Sequence, residues 1–229
     1  MRIKICGINS AEALAVAADA GADYVGFVFF PPSPRYVTPA QAAELRATRP
    51  LGPPGVGLFV KPGLDEIADV LAAVRLDAVQ IYGDANLARA IRQQFVLPVW
   101  LALGVSAPAD LAAAERAAKG LDGMVIESKP PPGATRPGGN ATALDWSLLA
   151  GWKPPLPWLL AGGLAPDNVA EAIARSGATG VDVSSGVEQT PGVKDAALIR
   201  AFITSSRNAV AALSAEKHRE YDSADQGVP

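Results

Sequence analysis

The sequence predicts a (β/α)8 barrel, and three observations predict it. Short apolar runs rich in Val, Ile and Phe recur along the chain, and alanine-rich helical stretches separate them. The alternation continues for about 210 residues, near the short end of the range for such a barrel. No composition shift marks a second domain.

The candidate strands are Ile3–Cys6, Tyr24–Phe30, Gly55–Val60, Ala78–Tyr82, Val99–Leu103, Gly123–Glu127, Trp158–Ala161 and Gly180–Ser184. Most are almost continuously apolar, as parallel strands covered on both sides must be. Helices fill the intervals. Asn9 with Glu12 has the spacing of a capping box, and Gly21 stops the Ala/Leu/Val run that follows. Thr38, Pro39 and Gln41 supply a cap, a first-turn proline and a third-position partner. Leu64, Ile67, Val70, Leu71 and Val74 form one helical stripe. Further helices are expected around Leu87 and Ile91, over Leu111 to Lys119, over Asp145 to Leu149 and over Val169 to Ala174, with a last and longest one from Asp195 to about Leu213. Eight uninterrupted repeats favour a closed barrel over a doubly wound open sheet. A single domain is expected over 1–213, followed by a polar tail, 214–229, that frays.

Composition limits the function. Hydrophobic residues make up 49% and charged residues 19%, enough for a sizeable core and inconsistent with global disorder. The net charge of −3 is spread without blocks, which argues against a nucleic-acid partner. No apolar run approaches the ~20 residues needed to span a bilayer, and Met1 to Cys6 runs straight into a strand. A cytoplasmic protein without membrane partners is expected. The only cysteine is Cys6 and the only histidine is His218, so no metal site is anticipated. No G-x-G-x-x-G follows the first strand, which argues against a dinucleotide cofactor.

In such a barrel the functional residues gather at the C-terminal strand ends. Reading those ends gives Cys6, Pro31–Arg35, Lys61, Tyr82, Glu127, Gly162–Gly163, Asp182 and Ser184–Gly186. Strand alternation puts Cys6 on one face with Lys4, a cation that favours thiolate formation. A small buried hydrophobe is the ordinary role of a free cysteine and the competing one here. Cys6 and Glu127, on strands one and six, can serve as a base and an acid. Arg35, after a stiff proline turn, can clamp a carboxylate or simply lie in solvent. Asp182 sits in an apolar strand and points inward if Val181 and Val183 point out. Two glycine-bearing loops, after strands seven and eight, suit a phosphate. The Pro/Gly-rich stretch from Ser128 to Thr142 follows strand six, where it can cover the site.

Several segments together resemble the phosphoribosylanthranilate isomerase family. They are Lys4-Ile-Cys-Gly-Ile8, Phe29-Phe-Pro-Pro-Ser-Pro-Arg-Tyr36, Val79-Gln-Ile-Tyr-Gly-Asp84, Arg136-Pro-Gly-Gly139, Leu144-Asp-Trp146, Ala161-Gly-Gly-Leu-Ala-Pro-Asp-Asn-Val169 and Val181-Asp-Val-Ser-Ser-Gly-Val-Glu188. The resemblance runs from residue 1 to about 213, with the motifs in family order. It implies the Amadori rearrangement of N-(5-phosphoribosyl)anthranilate, the third step of tryptophan synthesis from chorismate, without cofactor or metal. It further implies that Cys6 is the general base and Glu127 the general acid. Arg35 would hold the anthranilate carboxylate, Asp182 would orient the sugar, and Gly163, Ser185 and Gly186 would donate N–H groups to the phosphate. The expected partner is a phosphorylated small molecule, and the chain is expected to be a monomer or homodimer. Two positions depart from the family pattern. Glu127 stands where aspartate is usual, and Tyr82 stands where strand four usually ends in histidine. Both departures leave open a phosphoribosyl-ligand-binding barrel without catalysis. A neighbouring barrel lyase is disfavoured, because Lys61 has no lysine counterpart on strand two.

Overall fold

The structure is a computed structural model that describes residues 1–129 and 144–225, with the backbone alone for 216–225. Eight parallel strands close in chain order: β1 (Arg2–Cys6), β2 (Tyr24–Val28), β3 (Gly55–Val60), β4 (Ala78–Tyr82), β5 (Val99–Val105), β6 (Gly123–Ser128), β7 (Trp158–Leu160) and β8 (Gly180–Val183). β8 pairs back onto β1 with Lys4 opposite Asp182, which seals the barrel. Side chains alternate across the wall as the apolar runs require. Ile3 and Ile5 face outward into the main core between strands and helices, whereas Cys6 turns inward beside Val28 and Leu58.

The outer layer comprises α1 (Ala11–Asp19), α2 (Pro39–Thr48), α3 (Leu64–Ala73), α4 (Ala85–Phe95), α5 (Pro108–Ala118), α6 (Val169–Ser176) and α7 (Ala196–Asp225). The α2 capping box forms as the sequence indicates, with Thr38 accepting from the Gln41 N–H and the Gln41 side chain accepting from the Thr38 N–H. At α1 the cap is Ser10 and not Asn9: Ser10 accepts from the Ala13 N–H, and Asn9 donates to the Gly192 carbonyl instead. The Asp145 segment forms a single 3-10 turn, Trp146–Leu149. The last helix does not end near Leu213 but continues to Asp225.

One element was not anticipated. Between β8 and α7 a short antiparallel hairpin forms from β9 (Glu188–Thr190) and β10 (Val193–Lys194). Gly192 (φ 86) lets its turn press against the Pro34 carbonyl, where a side chain would collide. The hairpin therefore lies on the Pro31–Arg35 turn. Among the described residues, no helix is long and apolar enough to cross a membrane.

Candidate active site

The strand ends open into a pocket lined by Cys6, Arg35, Tyr82, Glu127, Asp182 and Ser185, among others. Most of the residues singled out in sequence thus converge, Cys6, Glu127, Arg35, Asp182 and Ser185 with Tyr82 and Ser184 among them. Gly163 lines the pocket as well, while Lys61 lies outside it. Gly186 sits behind the wall, and any Cβ there would fall inside the Leu164 carbonyl oxygen. The segment 130–143, with the Arg136-Pro-Gly-Gly139 motif and most of the Pro/Gly-rich stretch, lies outside the described residues, as does the His218 side chain.

Cys6 ends β1 with 4% exposure. Its sulfur reaches the pocket because β2 carries glycine opposite it: a Cβ on Gly26 would lie 2.8 Å from Sγ and 3.2 Å from the Lys4 Cε. The lysine beside the thiol was expected to make it more acidic. The opposite balance holds. Burial pushes the thiol above its ordinary value, and the nearby Lys4 and Lys194 charges reverse only part of that. The sequence displays the cation but not the desolvation.

Lys4 is fully buried, and its Nζ donates to Asp182 Oδ2 at 2.8 Å. Burial works against its charge, but Asp182 and Cys6 outweigh that and hold the ammonium above its usual range. Asp182 is raised by burial and partly pulled back by Lys4. Its Oδ1 is buried and has no partner among the described residues, an unmet acceptor in the pocket wall.

Glu127, near the end of β6, packs against Gly162 (φ 82°), where an added Cβ would stand 3.1 Å from the Glu127 Cβ. Burial drives the Glu127 carboxyl up to about 8, with Asp182 adding to the effect and a hydrogen bond from Tyr82 opposing it. The carboxyl therefore carries a proton at neutral pH. Tyr82 itself is pushed well above its ordinary range by burial and by the same carboxyl, so it stays a neutral donor. In sequence Tyr82 is a strand-end residue that departs from the family's histidine. Its coupling to a carboxyl 45 positions away has no local signal.

Arg35 lies across Gly7, where a Cβ would stand 2.7 Å from the arginine Cδ. Its Nε and Nη2 donate to Glu188 Oε1 and Oε2 at 2.7 and 2.8 Å. The solvated alternative does not hold, because Arg35 is only 7% exposed.

At the other end, Gly162 and Gly163 both take positive φ, and Asn168 staples the loop by accepting from the Ala165 N–H and donating to the Gly163 carbonyl. The N–H groups of Ser185 and Gly186 begin a single 3-10 turn, Ser185–Val187, where the first donors lack intrahelical acceptors. The arrangement suits a phosphate oxygen cluster. Among the described residues no group of three His, Cys, Asp or Glu could hold a metal ion.

The chain is similar to known proteins over most of its length. A family model described as N-(5'phosphoribosyl)anthranilate (PRA) isomerase matches residues 3–205. The N-(5'-phosphoribosyl)anthranilate isomerase of Acidiphilium cryptum is 53% identical over 208 residues, 91% of this chain and 99% of its own length. That of Paramagnetospirillum magneticum is 54% identical over 209 residues, 90% and 97%. The crystal structure of phosphoribosyl anthranilate isomerase from Thermotoga maritima matches with a TM-score of 0.80 at 36% identity, over 91% of this chain and 99% of that one. A phosphoribosyl anthranilate isomerase in complex with reduced 1-(o-carboxyphenylamino)-1-deoxyribulose 5-phosphate matches at 0.78 and 34%, with the same coverage.

Proposed function

The chain belongs to the N-(5'-phosphoribosyl)anthranilate isomerase family and catalyses the Amadori rearrangement of N-(5-phosphoribosyl)anthranilate in tryptophan synthesis, and we propose that Cys6 and Glu127 divide its proton transfers. The observation that carries this reading is that Glu127 and the one thiol of the chain, both buried, line the same pocket; burial pushes the Glu127 carboxyl up to about 8, which suits a proton donor.

Opening the furanose requires a proton on the ring oxygen as the C1–O bond breaks. Glu127, still protonated at neutral pH, supplies it, and the nitrogen lone pair moves in to form an iminium. The C2–H bond is then acidic enough for a thiolate. Cys6 takes that proton, and the bonding electrons become the C1–C2 double bond of an enolamine. Tautomerisation moves a proton from the C2 hydroxyl to C1 through solvent and leaves the ketone. The product is 1-(2-carboxyphenylamino)-1-deoxyribulose 5-phosphate. The enzyme ends with one proton more on sulfur and one fewer on the carboxylate, and solvent exchange restores the starting form.

The remaining roles follow the pocket's two ends. Arg35 anchors the anthranilate carboxylate, Asp182 Oδ1 accepts from a sugar hydroxyl, and the N–H groups of Gly163, Ser185 and Gly186 receive the phosphate. Anchoring at both ends supplies binding that does not change during the rearrangement and holds C2 and the ring oxygen at their partners.

The test follows the fluorescence of phosphoribosylanthranilate, generated in situ, with wild type, Cys6→Ala and Glu127→Gln. Both variants should lose turnover while binding the reduced product analogue. Normal turnover in either removes that residue from its role, and tight binding without turnover by the wild type favours the non-catalytic binder.

A further inference from the structure

The Glu188 carboxylate collects an unusual set of donors. It accepts from Arg35 Nε and Nη2, from Lys194 Nζ at 2.8 Å and from the Gly192 N–H at 3.1 Å. Lys194 Nζ also donates to the Ser184 carbonyl at 2.9 Å, next to the loop that begins at Ser185. The Lys194 and Glu188 side chains are 1% and 3% exposed. Burial alone would raise the Glu188 carboxyl, but Arg35 and Lys194 outweigh it and hold it below its ordinary value. Among the described residues Arg35 Nη1 has no partner, whereas the Nε edge is fully used.

We propose that Glu188 is a positioning residue that locks the Arg35 guanidinium by its Nε edge, so that the opposite edge is presented, already oriented, to the substrate's aromatic carboxylate. This deepens the reading above and rests on Arg35 being the carboxylate anchor. A planar guanidinium can meet two carboxylates, one on each edge. With Glu188 on one edge the plane is fixed, and little rotamer freedom remains to be lost on binding. The hairpin makes this possible. β9 begins with Glu188, β10 ends with Lys194, and Gly192 seats the turn on Pro34, directly before Arg35. Because Lys194 also donates to the Ser184 carbonyl, one carboxylate ties the guanidinium donor for the ring end to the loop for the phosphate end.

The test compares two ligands, the reduced product analogue and the same compound lacking the aromatic carboxyl, against the full chain carrying no substitution, Arg35→Ala or Glu188→Gln. Wild type should prefer the carboxylated compound by about 10- to 100-fold, as a charge-assisted pair allows. Glu188→Gln should lose about tenfold of that preference while affinity for the decarboxylated compound and the pH profile of kcat stay unchanged. A merely structural role for Glu188 would weaken both ligands alike and overturn the proposal. If Arg35→Ala loses the preference and Glu188→Gln keeps it, this inference fails alone. If Arg35→Ala keeps it, the anchor role of Arg35 fails too. Nitrogen-15 side-chain NMR of the unsubstituted chain gives the same answer without a variant that must fold. The Arg35 Nε–H should be protected from exchange both free and ligand-bound, and exchange as fast as that of surface arginines overturns the lock.

Discussion

Lys4 Nζ lies 2.8 Å from Asp182 Oδ2 inside the barrel, and the two residues are direct register partners across the β1–β8 seam. A buried ion pair of this kind adds little net stability, but removing one partner strands the other. Lys4→Met should therefore destabilise the chain by about 3–5 kcal/mol. Adding Asp182→Asn should recover part of that loss, because no charge then remains uncompensated. Denaturant midpoints of the single and double variants check this, and strictly additive losses would contradict it.

The pH dependence of kcat/KM follows from the two proton carriers. The productive form has Cys6 as thiolate and Glu127 protonated. Below about 8 the pair holds both protons, and above the raised thiol value it holds none. The profile should be bell-shaped, with its acidic limb near 8 and its alkaline limb beyond the ordinary thiol value of 9.0. A flat profile across that span would contradict the assignment.

Tyr82 tunes the acid. Its hydrogen bond lowers the Glu127 value, opposing the larger effect of burial. Tyr82→Phe removes the donor, so the Glu127 value should climb and the acidic limb move to higher pH. A limb that stays in place or moves down would show that the hydroxyl does not reach the carboxyl in solution.

Glu127 also gives stability a slope. In the unfolded chain its proton leaves near 4.5, whereas the folded chain keeps it to about 8. The folded state binds more protons in that window, so this group's contribution is intact below 4.5 and is lost as pH rises through about 8. The slope is about 1.4 kcal/mol per pH unit at most. Glu127→Gln lacks the titrating group and should gain on wild type from pH 5 to pH 8 in chemical unfolding. Parallel curves for the two proteins would refute the raised value.

Gly26 is the opening through which the thiol reaches the ligand. A methyl there would stand 2.8 Å from Sγ and 3.1 Å from the Cys6 Cα. Gly26→Ala should displace the sulfur and lower kcat by about 100-fold, with a stability loss of about 1–3 kcal/mol from overpacking. Steady-state kinetics and thermal unfolding separate the two effects.

The barrel was legible in sequence because the strands are short apolar runs and the alanine-rich helical stretches between them recur, some with a clear start or stop such as Thr38-Pro39 or Gly21. The β9–β10 hairpin was not, since Glu-Gln-Thr and Val-Lys are too short and too polar to register as strands. Asn9 and Ser10 both satisfy the rule for a cap, and only the tertiary contact of Asn9 with Gly192 decides between them. Cys6, Glu127, Arg35 and Asp182 could be picked from strand ends and motifs. Their energetics could not, because burial sets the thiol and the acid, and the partners Tyr82 and Glu188 lie far away in the chain.

The seam between first and last strand has a consequence for biosynthesis. Lys4 is translated 178 residues before the aspartate that neutralises it, so the barrel interior can settle only once β8 has been made and has paired with β1. A fragment ending before Asp182 lacks β8, leaves the barrel unsealed and Lys4 without its partner, and should remain open to proteases. Closing the barrel seam and neutralising Lys4 are thus one event.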